Sequence, residues 1–594
     1  MVKEKTKPTP QKRFLTLKRR EACLGWLFVS PALIGFSIFT FGSILYSLYL
    51  SFTDYNLLSA PKWIGLENYI RAFTNDQYFY RYFGNTFYFV LLLVPLVLVI
   101  SLGLALLINR KVGRINKAYR VALFLPSITS TVAVSMVWLW IFNPDMGLLN
   151  NFLTALGWNN PPMWLADPAW SKPALVIMRV WQMSGYYMIM FLAGLQTIPE
   201  NLYEAAEVDG ANSVQRFFKI TLPMLSNTSF MVAILLVIEA FNMFESIFIM
   251  TEGGPLGSTS TIMYYIYEQA FRNYDMGYAS ALAWIFFALI LVVTLVQYRF
   301  RNEQGVNDMK QRTLGMSTRK KWGTIVYHTF MILLSLIMIY PFVWSVLSSF
   351  KTSEQLYGSS SLNMWPQPAT LDNYKRLFEV LPFDKFICNS IFLSIAIPLS
   401  MIAVASLAAY ALTRLEFKGR NLLFLAFIAT MMVPSHVTLI PNYKIVVDAG
   451  LANTYLALFL KCMFTSANAF NIFFFRQYFL SIPKDLEHAA IMDGCSRLGV
   501  FFKIVLPNAK PAIATTAILS FRSVWNEFLW PMIVINDYDK LTLTVGLKYL
   551  KEWEPNWAVL LAGSTISIIP IVIIFLVFQK HFMSSAMNSG FGGK

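Results

Sequence analysis

The 594 residues are 56% hydrophobic and 16% aromatic, with a mean hydropathy of +0.52 and a formal net charge of +16. So apolar a chain cannot hide its surface in one aqueous core, and lipid is the solvent for much of it. The charge does not indicate nucleic acid, because the basic residues sit in short clusters beside apolar runs, which is an orientation signal rather than a binding groove.

Apolar runs of the roughly 20 residues that cross a hydrocarbon core as helix recur from end to end. They are continuous rather than alternating, which predicts an all-α integral membrane protein and not a barrel. A tail with Lys3, Lys5, Lys7, Lys12, Arg13, Lys18, Arg19 and Arg20 precedes the first run. Without a convincing small-residue cleavage site, that run is expected to be a retained membrane helix. About twelve spans are expected, at 23–51, 86–108, 121–143, 172–197, 228–251 and 277–298, then at 324–348, 387–412, 421–442, 453–475, 512–536 and 557–579.

The basic tail, the loop with Arg110, Lys111, Arg114, Lys117 and Arg120, and the linker with Arg299, Arg301, Lys310, Arg312, Arg319, Lys320 and Lys321 all fall on one side. The segment 53–85 mixes Lys62, Arg71 and Arg81 with Asp54, Glu67 and Asp76. The positive-inside rule then makes both termini and the linker cytoplasmic. The polar linker divides the chain into halves 1–308 and 309–594, the second opening at Met309. A natural fusion, an engineered one and two subunits written as one chain would look alike here. Cys23, Cys388, Cys462 and Cys495 are far apart and suggest neither a disulfide framework nor a metal site.

The halves repeat each other. IPENLYEAAEVDGANSVQRFFKITLP at 198–223 aligns without a gap on IPKDLEHAAIMDGCSRLGVFFKIVLP at 482–507, an offset of 284 (493 − 209) that carries Asp209 and Gly210 to Asp493 and Gly494. Leu66, Asn68, Tyr69, Arg71 and Phe73 match Leu371, Asn373, Tyr374, Arg376 and Phe378 at an offset of 305 (374 − 69). The extra residues of the first half are expected mostly at 144–171. Two like-oriented copies of six spans form a parallel repeat about an axis along the membrane normal.

Each copy of the cytoplasmic stretch reads as two short helices around a sharp turn. Pro199 and Pro483 suit a first helical position, Asp-Gly supplies a turn with a residue free to take positive φ, and Pro223 and Pro507 follow. Ala205, Ala206, Ala489 and Ala490 allow close approach of another surface, and Phe217, Phe218, Phe501 and Phe502 are expected to anchor the loop to the membrane domain.

Both stretches resemble the EAA loop, E-A-A-x-x-x-G with a trailing L-P, of permease subunits in binding-protein-dependent ABC importers. The first keeps Glu204, Ala205, Ala206, Asp209 and Gly210; the second has His488 in the place of the glutamate, with Glu487 one position earlier, then Ala489, Ala490, Asp493 and Gly494. FNMFESIFIMTEGGPLGSTSTIMYYI at 241–266 looks like the first type of maltose-permease-like carbohydrate subunit, and WNEFLWP at 525–531 with TLTVGL at 542–547 like its partner type. The resemblance implies a type I ABC importer transmembrane fold in a bacterial-type cell membrane. It also implies that these loops couple to two ABC ATPase subunits holding ATP and magnesium. An extracytoplasmic solute-binding protein would deliver a carbohydrate or related solute.

Polar residues within the runs are the candidates for a substrate pathway, because a sugar needs aromatic faces for its C–H surface and amides and carboxylates for its hydroxyls. They are Trp181, Gln182, Tyr186, Glu239, Asn242 and Glu245, then Asn468, Asn471, Arg522, Asn526 and Glu527, with Tyr187 beside them. Interhelical hydrogen bonding is the competing explanation for each of these side chains. Pro126, Pro398 and Pro434 mark possible kinks. A secondary transporter of the major facilitator type shares the six-plus-six parallel repeat and is the serious rival. A channel lacks its repeated filter sequence. The chain has no paired acid–base constellation and no GxxxxGK[ST] phosphate loop, so it is read as a permease rather than an enzyme, with no cofactor or metal of its own.

Overall fold

The computed structural model describes residues 17–109, 115–301, 321–358 and 363–589. Most of the basic tail, Arg110, Lys111 and Arg114 of the first basic loop, and the linker with Met309 and the 308/309 boundary lie outside the described residues. Among the described residues, eight helices are long and apolar enough to cross a membrane: Arg19–Ser51, Phe79–Ile108, Pro168–Thr197, Ser226–Met250, Met276–Gln297, Ile325–Ser348, Phe383–Arg414 and Trp557–Gln579. Three further pairs meet at bends of 96°, 48° and 76°, which makes eleven spans if each pair is one.

Of the twelve expected spans, the one at 421–442 is not among these eleven. Helix Arg420–Ala429 ends in one tight turn at Thr430–Met432, and helix resumes only at Leu439–Asp448. Val433 is extended (φ −87°, ψ 119°), as the ring of the following Pro434 demands of its predecessor. The matching run of the first half breaks at 96° between Asn116–Ile128 and Thr131–Ile141, where Thr129 (ψ 152°) and Ser130 (ψ 132°) are extended. The fifth runs break too, after Phe241 and after Asn526, so that the matched Asn242 and Asn526 both stand at helix ends.

The repeat is visible in side-chain detail. Asn68 donates to the carbonyls of Ser51 (3.1 Å) and Thr53 (2.9 Å), and the Tyr69 hydroxyl lies 2.7 Å from Ser51 Oγ. Asn373 donates to Ser349 (2.9 Å) and Lys351 (2.7 Å), and the Tyr374 hydroxyl lies 2.7 Å from Ser349 Oγ. The same asparagine therefore satisfies the backbone leaving the first span of each half, carbonyls that would otherwise be buried unpaired, and the tyrosine beside it meets the serine hydroxyl. The extra length of the first half is where the sequence places it. Residues 142–167 separate helices that only 449–454 separate in the second half, and they hold a short helix, Leu148–Ala155.

The chain forms two compact units. One comprises residues up to Ser43, Ile397–Ser435 and Phe459–Ala517. In it Phe28 of the first helix packs on Tyr410 and Phe501, and Phe36 packs edge-on against Phe427. Thr40 donates to the carbonyl of Phe464 at 2.6 Å, at the 48° bend between Tyr455–Met463 and Ser466–Ser481. The other unit comprises Ile44–Ala396, His436–Leu458 and Ile518 onward. There the helix Lys321–Ser348 lies along the broken run of the first half: the Tyr119 hydroxyl is 3.0 Å from His328 Nδ1, and Trp140 stacks on Trp344 with ring centres 5.9 Å apart.

Candidate functional site

A helix broken in mid-membrane exposes carbonyls that lipid cannot satisfy. At the 96° break the partners come from two other runs. Arg522 Nη2 donates to Ser127 O at 2.7 Å, Asn526 Nδ2 to Ile128 O at 3.1 Å, and Gln182 Nε2 to Thr129 O at 3.4 Å. Beside the break lies a cavity of 440 Å³ whose lining includes Arg179, Gln182, Tyr186, Glu239, Glu245 and Arg522.

A bonded network stiffens its wall. Arg179 donates Nη1 to Gln182 Oε1 (2.6 Å) and Nη2 to Glu239 Oε1 (3.1 Å), and Tyr187 donates its hydroxyl to Glu239 Oε2 (2.7 Å). The Arg179 side chain is 9% exposed, whereas that of Glu239 is 43% exposed, so the arginine is held from behind and the carboxylate faces the open space. The Arg522 guanidinium lies 5.8 Å from the centre of the Tyr186 ring. Carboxylate, amide, guanidinium and phenol around one volume can take up the hydroxyls and ring faces of a polar solute.

Gln182, Tyr186, Tyr187, Glu239, Glu245, Arg522 and Asn526 among the candidate pathway residues line this cavity. The others do not. Trp181 is buried between Trp138 and Phe342, and Asn242 donates back to Ile238 O at 2.8 Å, closing its own helix. Asn468 donates to Met463 O (2.8 Å) and accepts from Asn471 (3.1 Å), repairing the 48° bend. The carbonyl of Glu527 accepts from Thr544, and its side chain is not part of the lining. Arg179 was missing from the candidates, although an arginine inside the apolar run 172–197 is itself a signal. Thr129 and Thr131 were missing because only the break turns them toward the space.

The repeated loop forms the same device twice. Helices Glu200–Val208 and Lys484–Met492 each begin after a proline that is the N-cap, one position earlier than expected. Each ends in a six-to-one closure: Ala211 N–H to Ala206 O (2.8 Å) with Gly210 N–H to Glu207 O (3.1 Å), and Cys495 N–H to Ala490 O (2.9 Å) with Gly494 N–H to Ile491 O (3.0 Å). Gly210 (φ +79°) and Gly494 (φ +85°) take the left-handed conformation that closure requires, and no atom lies near where a Cβ would sit. The tip presents matched apolar side chains to solvent, Val208 (81% exposed) and Met492 (86%), then Val214 and Leu498. Of the paired phenylalanines only the first is turned inward; Phe218 and Phe502 are more than half exposed and do not anchor.

The loops are fastened differently. The first is closed on itself by Arg216 and Glu207 (2.8 Å) and by Tyr203 and Thr221 (2.9 Å). In the second, Glu487 is buried and pairs with Arg414 at 2.7 Å, and Arg414 also donates to the carbonyls of Phe479 (2.7 Å) and Ile482 (2.6 Å). Arg497 reaches Glu21 at 2.9 Å. Burial pushes the Glu487 carboxyl above the ordinary glutamate range, and Arg414 offsets this in part. His488, in the glutamate position of the resemblance, is exposed.

Broken spans around a polar cavity, with a duplicated loop of defined shape, make this an α-helical membrane permease. The chain belongs to the family described as binding-protein-dependent transport system inner membrane component, which it matches at residues 97–303 and again at 401–586, two permease domains in one chain. It is similar to the probable ABC transporter permease protein YesP of Bacillus subtilis, 41% identical over 284 residues, covering 47% of this chain and 91% of that protein. The arabinooligosaccharides transport system permease protein AraQ of Halalkalibacterium halodurans is 37% identical over 263 residues, covering 44% and 93%. The lactose transport system permease protein LacF of Rhizobium radiobacter is 35% identical over 294 residues, covering 49% and 97%. Among solved structures, the bacterial ABC transporter involved in the import of the acidic polysaccharide alginate matches with 25% identity and a TM-score of 0.43 over 48% of this chain and 96% of that one. Sugar permeases of ABC transporters are thus its relatives.

Proposed function

We propose that this chain is the membrane-spanning core of an ATP-driven importer that carries a sugar or sugar-related solute into the cell by alternating access. Its halves are 1–308 and 309–594, with both termini cytoplasmic. The observation that carries this reading is the duplicated loop: at 198–223 and 482–507, two helix ends of the same geometry present exposed apolar tips beside a positive-φ glycine. A surface patch of that kind, made twice, suits two copies of one docking partner. The partners are two ATPase subunits, which hold ATP and magnesium, because this chain has no phosphate-binding loop.

Contact would fall on Glu204, Ala205, Asp209 and Gly210 in the first loop and on His488, Ala489, Asp493 and Gly494 in the second, with Ala206 and Ala490 half-buried behind them. Glu487 has another role: with Arg414 it transmits movement of its loop to the helix Phe383–Arg414. The cavity beside Glu239 and Arg522 would receive the solute, handed over by an extracytoplasmic binding protein of the kind the family is named for. Relatives named for arabinooligosaccharides and for lactose support a saccharide as cargo.

The test is coupling. The chain is reconstituted with its ATPase and binding protein, and hydrolysis stimulated by loaded binding protein is measured for Gly210→Val and Gly494→Val. A β-branched residue is disfavoured at positive φ, so each loop tip must rearrange, and stimulation is expected to fall by roughly ten-fold or more while the chain still inserts. Unchanged stimulation in both variants, or uptake by this chain alone driven by a proton gradient, would overturn the reading.

A further inference from the structure

A second cavity, of 560 Å³, lies between the turn after the helix Glu67–Thr74 and the segment Ile262–Asp275, all within one compact unit. Its frame is held by groups that satisfy one another. Asp76 Oδ1 accepts the backbone N–H of Tyr78 (2.8 Å) and of Phe79 (3.2 Å), and Oδ2 accepts the hydroxyls of Tyr265 (2.7 Å) and Tyr278. Arg71 pairs with Asp275 at 2.7 Å and covers the Tyr278 ring at 3.9 Å, and Arg272 pairs with Glu268 at 3.4 Å. The two arginines of the lining face the three carboxylates of Asp76, Glu268 and Asp275, so the space carries no excess of positive charge for an acidic ligand.

The side-chain amides of Asn75, Gln77 and Asn273 line the same space and have no partner among the described residues. Each offers donors and an acceptor from one planar group, the combination that adjacent sugar hydroxyls take. Tyr78 is 42% exposed and its ring is backed by Tyr82, with ring centres 5.6 Å apart and an interplanar angle of 14°, so one aromatic face is stiffened from behind. Tyr274 sits at φ +57°, a conformation an aromatic residue seldom takes, between Asn273 and Asp275, which both line the cavity. Strain of this kind collects at ligand clamps.

We infer that this cavity is an outer subsite for a neutral saccharide, separate from the space beside Glu239, in which the three amides hold sugar hydroxyls and Tyr78 covers a C–H face. The inference rests on the proposed function and on its orientation, which puts this face outside the cell. It adds a station met by the sugar before the cavity in the membrane.

The experiment uses the full chain reconstituted with its ATPase and binding protein, with uptake of arabinotriose and of lactose as probes. Tyr78→Ala and the double variant Asn75→Ala/Asn273→Ala are each expected to raise the uptake KM about five-fold or more, with Vmax and the affinity for the binding protein held within about two-fold. Tyr80→Ala, an exposed ring outside the cavity, should leave all three unchanged. An unchanged KM in both test variants overturns the subsite, and so does a loss of binding-protein affinity, which would make this face a protein dock. If the wild-type assembly takes up neither probe and no other saccharide, the carbohydrate reading itself fails and the subsite falls with it.

Discussion

The pair Glu487 and Arg414 shows what one buried ion pair can decide. Their side chains are 4% and 3% exposed, so each needs the other, and removing one strands a charge in a low-dielectric setting at a cost of about 3–5 kcal/mol. Arg414→Ala is therefore expected to loosen the second loop and lower stimulated ATP hydrolysis, while the exchanged pair Glu487→Arg with Arg414→Glu recovers part of it; a purely local fold defect would not be rescued. The pH dependence has a definite sign. Because burial raises the Glu487 carboxyl, folding takes up a proton there. That contribution is full below the ordinary glutamate value and is lost as pH rises through the raised one. Thermal-shift measurements from pH 7 toward 4.5 should show wild type gaining on Glu487→Gln as pH falls. The sequence placed Glu487 beside the motif position, but which way its side chain turns depends on Arg414, 73 residues away (487 − 414). No spacing rule within the loop could give that.

At the scale of elements, the loops were legible because Asp-Gly after a helix-favouring stretch fixes a left-handed closure locally. Their exposed tips follow from that geometry. Val208→Asp and Met492→Asp introduce a charge where the chain presents apolar surface, and each is expected to weaken binding of the ATPase about ten-fold or more, read by titration of purified subunits, with little effect on the chain's own melting. The broken runs were less legible. Pro434 marks one break by restricting Val433, whereas at 129–130 the bend follows Pro126 by several residues and is held by Arg522, Asn526 and Gln182 from elsewhere. Hydropathy sees an apolar run in either case.

For the whole molecule, the repeat and the two family matches at 97–303 and 401–586 make a two-domain permease. If the covalent link only joins two subunits, separately expressed 1–308 and 309–594 should co-purify and restore uptake together, while neither half alone transports; failure to assemble would show that the linker is needed. By itself the sequence determined that the chain is α-helical and lipid-embedded, that it is duplicated, and that each copy carries a loop closed by Asp-Gly. Those properties come from composition, from period and from local backbone preference. Only the tertiary structure decided which polar side chains share a cavity and which merely mend a helix. It brought Arg179 and Glu239 together and turned Asn468 and Asn471 to repair. A buried polar group must find its partner wherever the fold supplies one, and that partner lies on another helix, at a distance along the chain that no local pattern encodes.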